Sequence, residues 1–360
     1  MSSPSDPAVA AWLAAPEPAA EEADPEMTAA ILDGLQRQPD ARISQLFLYD
    51  SLGSRLYEEI CKTAEYYLTN AEAELLREHA AEIAADPRGL ADPAAHHVVI
   101  ELGAGEGHKT LLLLRELIQL QARAPIAHRT VYAPIDVSAS SLESNLESAA
   151  PLRPALETRP LLGVFEEQLP IAAALGGVRL YLFMGSSLGN FSDPECVELL
   201  RMVAGHMTGA ADRFLIGVDL PPSHLKPASK IRAAYNDARG VTAAFTLNGL
   251  RHINRKARLD FDWRGGWRHV AEYVEAERAI VTHVESTRDQ DVTCADGSSS
   301  KDGSGFRRRF RAGERIFMEQ SRKFDLPAIA ALADACGLSV TRHWASANGD
   351  HLIVETAKSN

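Results

Sequence analysis

The sequence predicts an α/β protein that combines a Rossmann-like, mostly parallel sheet with an additional α+β domain. Four apolar runs, at 97–102, 130–137, 178–187 and 213–220, alternate with helical patterns. Strands that are apolar on both faces are typical of a parallel sheet covered by helices. A glycine-rich turn follows the first run, at the sheet edge where such folds bind ligands. Residues 269–287 instead alternate polar and apolar side chains, which indicates a half-exposed antiparallel sheet.

Length and composition limit the classes of protein to which this chain can belong. A chain of 360 residues predicts one large domain with an elaboration, or two domains. Hydrophobic residues at 46% and charged residues at 24% are typical of a folded globular protein. The formal charge of −12 would repel phosphate backbones, so we expect no nucleic-acid partner.

Several targeting and metal-binding features are missing from the sequence. No apolar run reaches the roughly 18 residues of a membrane helix, and the N-terminus does not resemble a signal peptide. The four cysteines are far apart and form no C-x-x-C pair, and the 12 histidines show no metal-ligand spacing. We therefore predict a cytoplasmic protein with reduced thiols, no bound metal, no membrane contact and no obligate protein partner.

The elements follow in order along the chain. Residues 1–25, rich in Ala, Pro, Glu and Asp, predict a loose arm. After the aromatic-bearing segment 44–67, Thr69 and Glu72 form a T-x-x-E capping box, which predicts that a helix starts there and ends before Asp86-Pro87.

Beyond the four strands, residues 221–261 predict helices and 294–306 a low-complexity loop. A strand pair at 307–324, a helix at 325–337 and two strands near the C-terminus complete a seven-strand sheet. We expect one domain, built on this sheet, at 70–225 plus 323–360, and an added α+β domain at 26–69 plus 226–322.

The glycine-rich turn indicates which cofactor it binds. Gly103, Gly105 and Gly107 follow the acid Glu101, and His108 stands where a dinucleotide fingerprint would have its third glycine. Glycines let a ligand approach the backbone, and the next helix presents free N–H groups there. This spacing favours S-adenosylmethionine over a nicotinamide cofactor. A tight strand-to-helix turn without a ligand is the alternative.

Two acids accompany this turn. Asp136 ends the second strand, where a carboxylate can accept hydrogen bonds from ribose hydroxyls. It could instead belong to a helix N-cap cluster with Ser138. Glu101 has two open roles, either to orient the loop or to neutralise Lys109.

The third apolar run ends in FMGSSLGNFSD. Small residues such as Gly185 bring the backbone close to the reactive region of a cofactor, and Asn190 offers donors and an acceptor to a substrate amine. A turn glycine followed by an Asx turn is the alternative.

Two further groups lie outside the four strands. Tyr49, Tyr66 and Tyr235 are either half-buried core residues or ligand contacts. Glu319 and Ser321 stand two apart on a predicted strand, so both point to one face. They could hold a cationic or imidazole ring, or belong to a solvated face.

Eight segments in this order resemble the histidine Nα-methyltransferases of the ergothioneine pathway: FLYDSLGSRLYEEI, AEYYLTNAEAELL, IELGAGEGHKT, YAPIDVSASSL, MGSSLGNF, AYNDARGVTAAF, STRDQ and EQSRKF. The resemblance spans roughly residues 44–355. It implies an S-adenosylmethionine-dependent methyltransferase, whose cofactor is held by Gly103, Ala104, Gly105, Lys109 and Asp136.

The same resemblance implies roles at the substrate, which would bind between the carboxyl edge of the sheet and the added domain. Asn190 would engage the α-amine, Tyr66 and Tyr235 the carboxylate, and Glu319 with Ser321 the imidazole. Tyr49 would lie near the reacting centre and Gly185 beside the substrate.

The chain departs from the family at the adenine contact. The family commonly has an aspartate before an aromatic residue, whereas this chain reads Gly163-Val164-Phe165. The contact would then come from the backbone around Val164 and Phe165, or from Glu166. The AYND, LNGL and GVFEE segments also resemble a sister branch that methylates prenylated tryptophans. An indole-derived amine is therefore one alternative to histidine, and a catalytically silent partner protein that binds S-adenosylmethionine is a second.

Overall fold

The computed structural model describes Pro7 and residues 24–39, 41–85, 96–122, 130–294 and 306–359. Nearly all of the predicted loose arm at 1–25 and of the predicted loop at 294–306 lies outside these residues. The chain divides into two compact units. We call Met1–Tyr66 with Ala228–Gln320 the lobe unit, and Tyr67–Pro227 with Ser321–Asn360 the sheet unit.

The helices of the described residues are α1 (Pro25–Gln36), α2 (Ser51–Ile60), α3 (Leu68–Ala84), α4 (Thr110–Gln121), α5 (Ala139–Ala149), α6 (Phe165–Ala173), α7 (Asp193–His206), α8 (Ala228–Ala234), α9 (Val241–Ala257) and α10 (Leu326–Asp334). None of these described helices is long and apolar enough to cross a bilayer.

The strands of the described residues are β1 (His97–Leu102), β2 (Thr130–Asp136), β3 (Leu156–Thr158), β4 (Leu161–Leu162), β5 (Val178–Phe183), β6 (Arg213–Asp219), β7 (Trp267–Val274), β8 (Ala279–Ser286), β9 (Gln290–Thr293), β10 (Arg307–Phe310), β11 (Arg315–Arg322), β12 (Leu338–Ala345) and β13 (His351–Lys358).

The sheet unit is built on one large sheet with the strand order β12-β13-β6-β5-β1-β2-β3, and β4 pairs with β2 beside it. The strands β6, β5, β1, β2 and β3 run parallel to their neighbours, whereas β13 is antiparallel to β6. The predicted α/β fold with a mostly parallel sheet is confirmed, but the sheet of the described residues has eight strands rather than the predicted seven, because the short β4 also pairs with β2. The carboxyl ends of β1, β2, β5 and β6 share one edge, where the glycine turn also lies.

Successive residues of β1 show why this sheet needs helices on both faces. Val98 and Ile100 belong to one buried apolar cluster, and Val99 between them belongs to another. All three side chains are fully buried. A strand with apolar side chains on both of its faces must bury both faces, which is the pattern expected of a covered parallel sheet.

The lobe unit combines helices with two small sheets, one of order β11-β8-β7 and one that pairs β10 with β9. Aspartate side chains bind free amides at the start of two of its helices. Asp50 is the N-cap residue of α2 and accepts a hydrogen bond from Gly53 N at 2.8 Å. Asp237 accepts from Val241 N and Thr242 N, in the first turn of α9, at 2.9 and 2.8 Å, although the N-cap residue of that helix is Gly240. Such caps satisfy amide groups that have no partner inside the helix.

The predicted capping box at Thr69 and Glu72 is wrong. Helix α3 begins one residue earlier, at Leu68, and no side chain caps it. Glu72 is fully buried, and its carboxylate is bound by groups elsewhere in the sheet unit. A carboxylate held there cannot reach back to the start of its own helix.

Candidate active site

The glycine turn after β1 leaves space for a ligand. Gly103, Gly105 and Gly107 have φ angles of 66°, 51° and 71°, a region that side chains other than glycine rarely adopt. Apart from Gly105 itself and its two chain neighbours, no heavy atom of the described residues lies within 4 Å of the point where a Cβ of Gly105 would stand. The Gly105 amide donates to Asp136 Oδ2 at 2.9 Å.

Asp136 holds the turn in place from the end of β2. Its other oxygen, Oδ1, accepts from Ser138 N at 2.9 Å. Burial raises the pKa of Asp136, while three backbone donors, the amides of Ser138, Gly105 and Val137, act in the opposite direction. Ser138 rather than Asp136 caps α5, because its hydroxyl accepts from Ser141 N at 3.3 Å. Each Asp136 oxygen keeps a lone pair that can accept from a ligand hydroxyl.

Glu101 is linked to the glycine turn by a chain of buried hydrogen bonds. The Thr110 hydroxyl donates to its carboxylate at 2.5 Å and the Tyr132 hydroxyl donates to the other oxygen. Asn145 Nδ2 donates to both Tyr132 Oη and Gly105 O at 3.1 Å. Burial raises the pKa of Glu101 to about 7. Of the two roles left open by the sequence, these contacts favour orientation of the loop.

Lys109 pairs with a different acid, Glu72, which the sequence did not single out. The Glu72 carboxylate also accepts from Gly185 N at 2.8 Å and from His351 Nε2 at 3.0 Å. His351 lies 279 residues further along the chain and Gly185 113 residues. No local pattern connects residues that far apart, so only the fold reveals this cluster.

The Gly163-Val164-Phe165 segment lies beside the same turn. Gly163 N donates to the backbone oxygen of Asp136 at 3.0 Å. Val164 is the N-cap residue of α6, with no side-chain cap. The Phe165 ring packs against Phe183 at 5.8 Å, and its Cζ lies 3.8 Å from where a Cβ of Gly103 would be. The structure therefore brings this segment and the glycine turn together.

Asn190 lies in a tightly constrained turn after β5. Gly185 and Ser186 both have positive φ angles, of 75° and 60°, and a short 3₁₀ helix then runs over Ser187–Asn190. A Cβ at Gly189 would lie 2.6 Å from Arg322 O, so only glycine fits there. This close approach fixes the backbone that carries Asn190, whose side chain is half-buried.

Ser321 belongs to a buried charged cluster of the sheet unit. Lys323 Nζ donates to Ser321 Oγ at 2.9 Å and pairs with Asp219 at 2.8 Å. Asp219 also accepts from Lys226 Nζ at 2.7 Å and from Tyr67 Oη at 3.0 Å. Burial would raise the pKa of Asp219, but the two ammonium groups outweigh it and lower the pKa. The sequence did not predict this cluster.

The lobe unit gathers three of the predicted tyrosines into one aromatic cluster. The ring of Tyr66 lies 6.0 Å from Tyr235 and 6.4 Å from Tyr57, which in turn lies 5.9 Å from Tyr49. Phe245 packs against Tyr49 at 5.4 Å. Edge-to-face rings at such distances are favourable beyond the area that they bury. We call these five residues the tyrosine cluster.

Glu319 lies close enough to this cluster to affect it electrostatically. Burial raises the pKa of Tyr57 well above its usual value, and the charges of Tyr235 and Glu319 raise it further. Burial also raises the pKa of Tyr66, Tyr57 and Tyr235 raise it further, and the Tyr57 and Tyr66 hydroxyls share a hydrogen bond. Tyr57 was not among the predicted site residues, because a tyrosine inside a helical pattern looks like an ordinary core residue.

Comparison with known proteins identifies the family. Residues 27–357 match the family described as histidine-specific methyltransferase, SAM-dependent. The chain belongs to this family. S-adenosylmethionine is accordingly the methyl donor of this methyltransferase, as the glycine spacing predicted, and a catalytically silent protein is not favoured.

Individual relatives of this methyltransferase are also named as methyltransferases or as ergothioneine biosynthesis proteins. The chain is 34% identical to a histidine N-alpha-methyltransferase of Mycobacterium tuberculosis, covering 91% of this chain and 94% of that protein. It is 30% identical to ergothioneine biosynthesis protein 1 of Neurospora crassa, over 88% of this chain and 34% of that protein. It is 24% identical to an L-tryptophan methyltransferase of Psilocybe serbica, over 93% of this chain and 94% of that protein.

The geometry of this methyltransferase fits its cofactor. S-adenosylmethionine needs acceptors for two ribose hydroxyls, a turn that side chains do not block and a partner for its carboxylate. Asp136 offers the acceptors, and the open position at Gly105 offers the space. Lys109, whose side chain is 25% exposed, offers a cation at the same end of the sheet.

Proposed function

We propose that this protein transfers methyl groups from S-adenosylmethionine to the α-amine of L-histidine and forms Nα,Nα,Nα-trimethylhistidine. The main support is the family match over residues 27–357. Identity to the mycobacterial histidine methyltransferase, at 34%, also exceeds identity to the tryptophan methyltransferase, at 24%. A tryptophan-derived or other indole amine is therefore the less favoured substrate.

The cofactor residues of this proposal all belong to the sheet unit. Gly103, Ala104 and Gly105 would line the donor, Asp136 would accept from its ribose hydroxyls, and Lys109 would pair with its carboxylate. The backbone at Val164 and Phe165 would border the adenine, in place of the aspartate that the family commonly carries. Bound S-adenosylmethionine supplies a methyl group on a positively charged sulfur, which an uncharged amine can attack.

The proposed substrate roles are given for each unit by itself. In the sheet unit, Gly185 and Asn190 would contact the α-amine region, and the Ser321 hydroxyl would hydrogen-bond the imidazole. In the lobe unit, Tyr66 and Tyr235 would bind the carboxylate. Two further lobe residues would act on the ring and the reacting amine: Glu319 would accept from an imidazole N–H, and Tyr49 would lie near the amine. The proximity of Glu319 to the tyrosine cluster supports placing the carboxylate, ring and amine contacts of these four lobe residues close together.

Methyl transfer requires an α-amine that has lost its proton, although a free α-amine is mostly protonated at neutral pH. The tyrosines are poor bases for this step, because burial keeps Tyr57 and Tyr66 protonated. We propose that Asn190 and a tyrosine hydroxyl orient the amine and that its proton passes to water. Orientation close to attack distance can lower the barrier by several kcal/mol. Each transfer removes one N–H donor, so the site must accept an amine with progressively fewer donors.

The location and the remaining partners stay predictions. The proposal assigns a cytoplasmic enzyme that acts on a small-molecule substrate, with no nucleic-acid, membrane or obligate protein partner. The acidic composition and the spacing of the cysteines support these points.

Mass spectrometry tests the proposed function directly. The purified protein is incubated with S-adenosylmethionine and, separately, with histidine, tryptophan and a panel of other free amino acids. We expect mass gains of one, two and three methyl groups on histidine alone. Methylation of tryptophan or another indole amine, with histidine unchanged, would overturn the assignment in favour of the alternative substrate.

A further inference from the structure

Glu72 gathers donors from three other parts of the sheet unit. It lies in the second turn of α3, and its side chain has no exposed surface. Its carboxylate accepts from the Lys109 ammonium, from Gly185 N at 2.8 Å and from His351 Nε2 at 3.0 Å. Lys109 precedes α4, Gly185 follows β5 and His351 begins β13. One buried acid thus ties the helix after the glycine turn to the ends of two strands.

The charges in this cluster are matched. Burial would raise the pKa of Glu72, but Lys109 and His351 outweigh it and hold the pKa well below its usual range. The Nδ1 atom of His351 is buried without a hydrogen-bond partner in the described residues. The buried Glu72 carboxylate is thus held by the Lys109 ammonium and by a hydrogen bond from His351 Nε2 at 3.0 Å.

The space around the carboxylate is equally restricted. A Cβ at Gly217 on β6 would lie 2.2 Å from Glu72 Oε1 and 3.2 Å from His351 Nε2. No side chain other than hydrogen fits at that position while the carboxylate stays where it is. The fold therefore keeps a glycine inside a fully buried strand, where glycine otherwise weakens packing.

Of the two charged partners in this ion pair, only Lys109 has exposed side-chain surface. The Lys109 side chain is 25% exposed, whereas Glu72 is not exposed at all. A Cβ at Gly185 would lie 3.6 Å from Lys109 Nζ, so the ammonium also borders the turn that leads to Asn190. Lys109 has four rotatable bonds in its side chain, and without a fixed partner its ammonium would sample many positions.

We propose that Glu72 is a positioning residue of the cofactor site. It fixes the Lys109 ammonium and the Gly185 amide so that Lys109 meets the carboxylate of the amino-acid part of S-adenosylmethionine. This rests on the proposed function only in taking Lys109 as a cofactor residue. Glu72 acts through Lys109 and does not itself contact the donor.

The test compares two ligands in the intact protein by calorimetry. S-adenosylhomocysteine carries the amino-acid carboxylate, whereas 5′-methylthioadenosine lacks it. In Glu72→Gln we expect S-adenosylhomocysteine to bind about tenfold more weakly or worse, while 5′-methylthioadenosine binds as it does to the wild type. The KM for S-adenosylmethionine should rise by a similar factor, with a smaller change in kcat. Glu74→Gln, an exposed acid on the same helix, is the matched control and should change neither affinity.

A double-mutant cycle tests whether Glu72 acts through Lys109. Once Lys109→Met has removed the ammonium, adding Glu72→Gln should cause no further loss of S-adenosylhomocysteine affinity. The double variant also avoids an unpaired buried charge, so it remains measurable if Glu72→Gln alone unfolds. Equal losses for both ligands in Glu72→Gln, or fully additive losses in the cycle, would overturn the proposal.

Failure of this proposal is distinguishable from failure of the proposed function. Methylation of histidine is read separately by mass spectrometry of the wild-type protein. If Glu72→Gln discriminates between the two ligands but the wild type does not methylate histidine, the proposed substrate is wrong and the role of Glu72 stands. If the wild type methylates histidine but Glu72→Gln weakens both ligands equally, only the role of Glu72 is wrong.

Discussion

The carboxylate of Asp136 accepts a hydrogen bond from the backbone N–H of Gly105 at 2.9 Å, so the end of the second strand holds the turn that follows the first. The two residues are 31 positions apart. This contact fixes the glycine turn before any cofactor binds. A preformed turn lowers the cost of ordering a loop when the ligand arrives.

Replacement of Asp136 should therefore impair both the turn and the ligand. In Asp136→Ala, the amides of Gly105 and Ser138 lose their acceptor, and we expect about 1–3 kcal/mol of lost stability. S-adenosylhomocysteine should bind at least about tenfold more weakly, since the ribose acceptor is lost as well. Denaturation and calorimetry measure these effects. Glu143→Gln, an exposed acid on the following helix, is the control. Unchanged affinity in Asp136→Ala would remove the residue from the cofactor site.

Glu101 should make stability depend on pH. Burial raises the pKa of Glu101 to about 7, whereas an unfolded glutamate titrates near a pKa of about 4.3. The folded state therefore retains a proton that the unfolded state releases. The stability contributed by this group is present at low pH and is lost as the pH rises from about 4.3 to about 7.

Glu101→Gln isolates this effect, because the amide resembles the protonated acid and does not titrate. Relative to the wild type, the variant should gain stability as the pH rises from about 5 to about 8, by a difference on the order of 3 kcal/mol. Chemical denaturation at both pH values, with Glu147→Gln as an exposed control, measures the difference. A stability difference that does not change with pH would show that Glu101 titrates normally.

Asn190 should affect turnover more than cofactor binding. If its amide orients the amine, Asn190→Ala should lower the methylation rate at saturating histidine by about 10²-fold, because the nucleophile is less often aligned. S-adenosylhomocysteine affinity should stay within about twofold of the wild type, since the proposed cofactor residues are intact. Single-turnover kinetics and calorimetry give the two numbers. A normal rate at saturating histidine would exclude the proposed role.

Glu319 should determine preference for the imidazole ring. Hydrogen bonds to a charged group contribute about 1.5–3 kcal/mol, so Glu319→Gln should raise the KM for histidine by about tenfold to a hundredfold. Glu277→Gln, an exposed acid of the same unit, should leave the KM unchanged. The decisive measurement is the KM for histidine at saturating S-adenosylmethionine. A Glu319→Gln variant with normal KM would assign the ring contact to another residue.

The parts of the site that the sequence predicted are those that local rules govern. The glycine turn, Asp136 and Asn190 each follow an apolar strand, and a parallel sheet brings such strand ends to one edge. Glu72 was misinterpreted because T-x-x-E is a good local signal for a helix start, whereas its actual partners, Gly185 and His351, are distant in the sequence. Tertiary contacts decided the role of that side chain.

The charged cluster around Asp219 was missed for the same reason. Lys226 and Lys323 approach it from different segments of the chain, and each resembles a surface lysine when read alone. Tyr57 illustrates a second limit. Its ring lies 6.1 Å from that of Phe245 because α2 packs beside α9, and no periodicity in the sequence reports that packing.

Because Gly217 has no side chain, the residues that fit at its position depend on the length of the side chain at the position of Glu72. Any larger residue there would collide with the Glu72 carboxylate 2.2 Å away. In homologous proteins, an alanine or serine at the position of Gly217 should accompany a shorter side chain at the position of Glu72. Such paired substitutions would also displace the ammonium at Lys109, so they should mark lineages whose donor affinity has diverged.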